Sequence, residues 1–149
     1  MLDPLDRAIL RIVQRDNQRT HASIGAEVGL SPSSVRRRLG ALRSSGVIEA
    51  DVSLLAPSEA GVQAIVFVTL QEETTESDDG FRRRIRASPE VTQCYAVLGS
   101  VDYVLVVHAA DLPSYEAWGR RVLLADPAVR RYDTHMVWGR VKFSTALPL

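Results

Sequence analysis

Cys94 is the only cysteine in the 149 residues, so no disulfide can close within the chain, and a disulfide-stapled secreted scaffold is excluded. A lone thiol reads first as a small buried apolar filler, and a reducing cytoplasm is the expected setting. Long apolar runs are missing as well. No stretch reaches the ~18 apolar residues of a membrane helix. Met1-Leu2-Asp3-Pro4-Leu5-Asp6 is acidic where a secretory leader would be basic and then greasy. No membrane partner is expected. Histidine is scarce too. His21, His108 and His135 stand far apart, without metal-binding spacing. Nucleophile elbow, phosphate loop and paired-carboxylate motif are all absent. Neither an enzyme nor a cofactor is therefore expected.

What remains is ordinary in bulk. Hydrophobic residues make up 46% and charged residues 24%, which suits one folded domain or two small ones rather than a disordered tail. The net charge of zero hides an asymmetry. Residues 1–50 carry eight Arg against five acids, whereas residues 51–149 carry nine Arg and one Lys against thirteen acids. The front is thus +3 and the rest −3, which points to a modular chain with a polyanion-binding end.

The front reads as three short helices. Asp3 caps the first, Pro4 opens it, and Leu5, Ile9, Ile12 and Val13 share one face. Thr20 caps a second over residues 21–28, and Gly29 turns the chain. Ser31 caps a third that opens at Pro32, runs to about Ser45 and stops at Gly46. Short helices joined by a Gly-containing turn match a helix-turn-helix. Residues 47–54 read as extended, a wing or a linker strand. Pro57-Ser58-Glu59-Ala60-Gly61 marks the boundary.

Beyond it the order is strand (63–71), helix (78–87), strands (91–98 and 103–109), helix (112–125) and strand (129–138). That is a ferredoxin-like split βαβ arrangement, with both helices on one sheet face. Both faces of its strands are apolar: Ala64, Val66, Val68 and Leu70 on one side of the first, Ile65 and Phe67 on the other. Two helices cover only one face. The exposed remainder is expected to pack sheet on sheet in a homodimer, with Ile65 and Phe67 at the contact; the alternative is cover by the linker or the front domain.

In the third helix Val35, Leu39 and Leu42 turn toward the core. Ser33, Arg37 and Gly40 then point outward, flanked by Ser34 and Arg36, with Arg38 nearer the core edge. Small residues let a helix enter the major groove, and arginine forks onto guanine or phosphate. Arg38 and Arg43 are expected to contact DNA backbone, and the helix start behind Ser31 is itself a phosphate site. A solvated basic helix on any small domain is the bland alternative.

The set Leu2-Asp3, Asp6, Ile9-Leu10, Val28-Gly29-Leu30-Ser31, Val35, Arg37-Arg38-Leu39, Leu42, Gly46 and Ile48 resembles the N-terminal domain of the Lrp/AsnC (feast/famine) transcriptional regulators. The similarity continues through Gly99, Asp102-Tyr103, Thr134, Val141-Lys142 and Leu147-Pro148-Leu149. It implies an α+β chain: a (winged) helix-turn-helix over residues 1–50, a linker strand or hinge over 51–62, and a ferredoxin-like βαββαβ (RAM) domain over 63–149. It further implies sequence-specific binding to pseudo-palindromic double-stranded DNA, and a homodimer that often assembles to an octamer. A small effector, usually an amino acid, is implied near the loop after the second RAM strand. In this sequence Asp102 would face the ligand ammonium. Gly99 and Ser100 would meet its carboxylate, with Tyr103 and Thr134 beside them. A plain hairpin turn accounts equally for Gly99 to Asp102. Many relatives carry Asp where Ser100 stands. Arg near Ala41 and Glu near Arg43 are also common there, so operator preference does not transfer. Two other classes stay open: a siroheme-decarboxylase-like enzyme of related fold, and an effector-binding assembly module without DNA binding.

Overall fold

The computed structural model describes residues 2–56, 59, 61–71 and 74–149. It divides into two compact units, one of residues up to Leu54 together with Val141–Leu149, the other Leu55–Arg140. The expected break at Pro57 to Gly61 lies partly outside the described residues.

The first unit holds α1 (Pro4–Val13), α2 (His21–Val28) and α3 (Pro32–Ser44). Each starts where local chemistry dictates. The side chains of Asp3, Thr20 and Ser31 accept the free amides of Asp6, Ser23 and Ser34, groups that no helix can satisfy internally. Gly29 and Gly46 follow α2 and α3 at φ 73° and 74°, a backbone that side chains resist. Ile9, Ile24, Val35 and Leu39 form the core, with Ile12, Val13, Val28, Leu30 and Ile48 against it. Residues 47–54, expected as wing or strand, pair with no strand among the described residues; Ile48 instead donates its N–H to the Leu42 carbonyl at 3.1 Å.

Residues 141–149 group with the first unit, although sequence adjacency assigns them to the second. The reason is hydrogen bonding to α1. The Gln14 amide donates to the Leu147 carbonyl and accepts its N–H, both at 2.9 Å. Arg11 Nε donates to the Leu149 carbonyl at 2.6 Å. Gln14 thus treats the tail as a strand partner would.

The second unit is a four-stranded sheet of β1 (Val62–Leu70), β2 (Val91–Ala96), β3 (Tyr103–Ala109) and β4 (Val129–Met136), ordered β2-β3-β1-β4. All three pairings are antiparallel. Helices α4 (Thr75–Arg86) and α5 (Leu112–Gly119) cover one face, and α5 continues as a π-helical turn over Arg120–Leu124. The core is made by alternate residues of β1 (Ala64, Val66, Val68, Leu70) and β3 (Tyr103, Leu105, Val107, Ala109) packed on Phe81, Ile85, Trp118 and Leu123. The ferredoxin-like expectation therefore holds. Helix α4 starts three residues before the expected position, because Thr74 caps it by accepting the Ser77 N–H. Cys94 is not the buried filler expected. It lies exposed on β2, an edge strand, and partial desolvation raises its thiol pKa, the reverse of an activated nucleophile.

Candidate DNA-binding helix and ligand cleft

Helix α3 buries Val35, Leu39 and Leu42 and leaves Ser33, Arg36, Arg37, Gly40 and Arg43 exposed. Arg36 and Arg37 have no ion pair or side-chain hydrogen bond among the described residues, so both guanidinium groups are available. At the helix start the Ser31 hydroxyl stands 3.0 Å from that of Ser33 and donates to that of Ser34 at 2.9 Å. The three serines thus form one small polar cluster at the helix start, beside first-turn amides of the kind that accept anions.

Two of the expected backbone contacts are committed elsewhere. Arg38 Nη1 donates to Asp3 Oδ2 at 2.6 Å and to Asp6 Oδ1 at 2.7 Å. The cap hydrogen bond from Asp6 N–H and the hydrogen bonds of Arg38 hold the Asp3 carboxyl below its usual pKa of 3.8. Arg43 makes a forked pair with Asp51, 2.8 Å from Nε and 3.4 Å from Nη2. That pair is about two-fifths exposed on both sides and is worth at most about 1 kcal/mol, so a phosphate can displace Asp51. The Arg38 side chain is 25% exposed and doubly bonded.

Gly25, which sequence reasoning passed over, sets the turn. Its carbonyl accepts the Leu30 N–H at 2.9 Å. A Cβ there would lie 2.3 Å from the Leu30 carbonyl oxygen. A buried glycine at helical φ has no local signature; only the close approach of the turn reveals it.

In the second unit a cleft of about 340 Å³ opens between the start of α4 and the ends of β1 and β2. Thr74, Thr75, Asp78, Arg82, Asp102 and Tyr103 line it with Leu70, Ala96 and Val97. Tyr103 is buried; its hydroxyl donates to Asp78 and accepts Arg82 Nε at 2.8 Å. Burial and the hydrogen bond to Asp78 raise the phenol pKa, so the ring stays neutral. Asp102 accepts the Leu70 N–H at 2.7 Å through Oδ2, and its own N–H donates to Val68 at 2.9 Å. It therefore anchors the loop to the end of β1 while still facing the cleft.

Gly99 and Ser100 are exposed in the loop and do not line the cleft. Thr134 is also elsewhere within one chain. It pairs with Val66, four residues along β1 from Leu70, or roughly 13 Å of strand. Its hydroxyl lies 2.5 Å from that of Tyr115, on the helix-covered face. Asp78 and Arg82 were missed because the expected α4 began at Asp78; their spacing of four, an acid before a base, was the available signal.

The uncovered sheet face carries Ile65, Phe67, Val104 and Val106, all half-buried in the single chain. Phe67 meets the edge of His135 at 5.3 Å and 89°, and Asp133 stands opposite it on β4.

A helix-turn-helix with a free basic outer face, joined to a separate sheet unit with a polar cleft, defines a DNA-binding regulator with a ligand-binding domain. The comparisons agree. Residues 2–49 match the winged helix-turn-helix DNA-binding family, and residues 63–147 match the Lrp/AsnC ligand binding domain. The chain belongs to the Lrp/AsnC family of transcriptional regulators. It is 41% identical over 150 residues to an HTH-type transcriptional regulator of Sinorhizobium fredii, covering 99% of this chain and 89% of the other. It is 30% identical over 148 residues to the leucine-responsive regulatory protein of Escherichia coli, covering 98% and 90%. A transcriptional regulator of Neisseria meningitidis, solved as an L-Met complex, superposes with a TM-score of 0.91 at 29% identity, covering 99% and 97%. No helix among the described residues is long and apolar enough to cross a membrane.

Proposed function

We propose that this protein is a cytoplasmic, non-enzymatic regulator that binds pseudo-palindromic operators as a homodimer or a higher assembly of dimers. An amino acid taken up by the second unit tunes that binding. The observation that carries the DNA half is α3, with Arg36 and Arg37 unpaired on its outer face. Assembly is supported by apolar surface left open in one chain: Ile65 and Phe67 on the sheet, and Leu55, Leu98 and Trp138, at least four-fifths exposed. Two copies present two recognition helices, so half-sites about 34–36 Å apart, or a multiple of that, are expected. Selection of bound duplexes from a random library tests this. Recovery of isolated, asymmetric half-sites alone would count against the dimeric reading. On the selected duplex, Arg37→Ala should weaken binding by about 1–3 kcal/mol, or roughly 5–150-fold. Arg37→Ala binding as tightly as the parent would place the reading helix elsewhere.

The effector half rests on the cleft. Asp102 offers a carboxylate to an ammonium, and Arg82, paired with Asp78 at 2.7 Å, is the cation among the lining residues that could take a ligand carboxylate. An amino acid carries both groups; leucine-responsive and L-Met-bound relatives add weight. Thermal melts with each of the twenty amino acids should identify a ligand that raises Tm by mass action. Asp102→Asn keeps an acceptor for the Leu70 N–H and removes the charge, so it should abolish that rise without unfolding the unit. An equal rise in parent and variant would exclude Asp102 as the ammonium partner.

A further inference from the structure

A fully hydrogen-bonded charge cluster of the first unit lies where the front of α1 meets α3. Asp3 and Asp6 form a reciprocal capping box: Asp3 Oδ1 accepts the Asp6 N–H at 2.7 Å, and Asp6 Oδ2 accepts the Asp3 N–H at 3.3 Å. Each carboxylate then has one oxygen left, and both of those, Asp3 Oδ2 and Asp6 Oδ1, take their hydrogen bond from the single nitrogen Arg38 Nη1. All four carboxylate oxygens are used. Two like charges three residues apart repel, and one cation held between them offsets that repulsion. Arg38 supplies it from α3, 35 and 32 residues away in sequence.

We propose that Arg38 is a positioning residue for DNA recognition and not a phosphate contact. It fixes the rotation of α3 about its own axis by tying it to the cap of α1, and so aims Arg36 and Arg37. A phosphate approaching Arg38 would meet two carboxylates at hydrogen-bonding distance from the same nitrogen, and would be repelled by the pair that holds it. Among the described residues, the outward Arg36 and Arg37 pair with no such acids. The inference rests on the DNA-binding reading above.

The test compares two duplexes, the one selected from the random library and a mixed-sequence duplex of equal length, across a salt series. The slope of log affinity against log salt counts phosphates, at about 0.9 per contact on B-form DNA. Arg37→Ala is the reference for a lost outer-face contact. Arg38→Gln, kept well below its melting temperature, should leave the slope on mixed DNA unchanged. It should lose about tenfold of the preference for the selected duplex, the scale of one misread base pair. Asp6→Asn should give the same two results, and the double variant should be no worse than the poorer single, because both act through one cluster. A purely stabilising role would leave the preference intact in folded protein, and that result overturns the proposal. So does a slope shallower by about 0.9 in Arg38→Gln, or a steeper one in Asp6→Asn, where a released Arg38 would have reached DNA. If Arg38→Gln does not fold, the neutral triple variant Asp3→Asn, Asp6→Asn, Arg38→Gln carries the slope measurement, since it leaves no unpaired acid. A parent protein that binds neither duplex would instead defeat the DNA-binding reading itself.

Discussion

Phe67→Glu is expected to yield a monomer, or an aggregate, that no longer holds its selected duplex although the helix-turn-helix is intact. Phe67 sits in the middle of the uncovered face, between Ile65 and Thr69 along β1 and opposite Val104 and Asp133 on its two neighbours. In the proposed sheet-on-sheet dimer a carboxylate there would be forced into an apolar contact, and desolvating it costs several kcal/mol unless it is protonated or paired. It would also stand directly across from Asp133, a like charge, which the sheet tolerates poorly even without a partner chain. His135 beside it relieves little of this, because it is exposed. Loss of the dimer halves the number of recognition helices per particle, and affinity gained by simultaneous engagement disappears with it. Analytical ultracentrifugation and a binding titration read the two effects. A soluble dimer of unchanged size would show that the partner chain packs on another face.

The second large effect is expected from Gly25→Val. The substituted Cβ would fall 2.3 Å from the Leu30 carbonyl oxygen and 3.3 Å from its carbon. Those are backbone atoms of the turn between α2 and α3, which cannot swing aside as a side chain can. The turn must open, and the Leu30 N–H bond to Gly25 is lost with it. Overpacking of this kind costs about 1–3 kcal/mol or more, and a unit this small has little stability in reserve. Helical signal from α1 to α3 should fall, and affinity for the selected duplex should drop by roughly a hundredfold or more, the loss expected when both arginine contacts go. The sheet unit has its own core, so oligomer size should persist. Gly40→Ala is the control. Nothing lies within 4 Å of its Cβ, and the substitution should raise helix stability by about 1 kcal/mol. Unchanged helicity in Gly25→Val would mean that the turn relaxes more cheaply than its backbone contact implies.

The starts of α1, α2 and α3 were legible because each depends on one oxygen and one amide three residues apart, a local matter. Alternation in β1 and β3 was equally plain, since burial on one face writes itself at every second residue. The start of α4 was not, because its buried residues Phe81 and Ile85 lie a turn or more beyond the Thr74 cap, and the first turn carries no apolar residue to extend their pattern. The π-helical turn at Arg120–Leu124 carries no signature of its own. Helical spacing put Arg38 near the core edge, yet it could not show that two acids at the chain's front wait for it. The same holds for Asp102. Its type suits a turn or a ligand, and only the ladder's end, where Leu70 needs an acceptor, reveals the anchoring role.

The first unit is completed by the tail that hangs on Gln14 and Arg11. In topological terms, the ligand-binding unit is thus an insertion within the DNA-binding one, entered after Leu54 and left before Val141. A fragment cut at residue 54 therefore lacks part of its own unit: it loses the three hydrogen bonds that the tail makes with Arg11 and Gln14, and should melt below the first unit of the full chain.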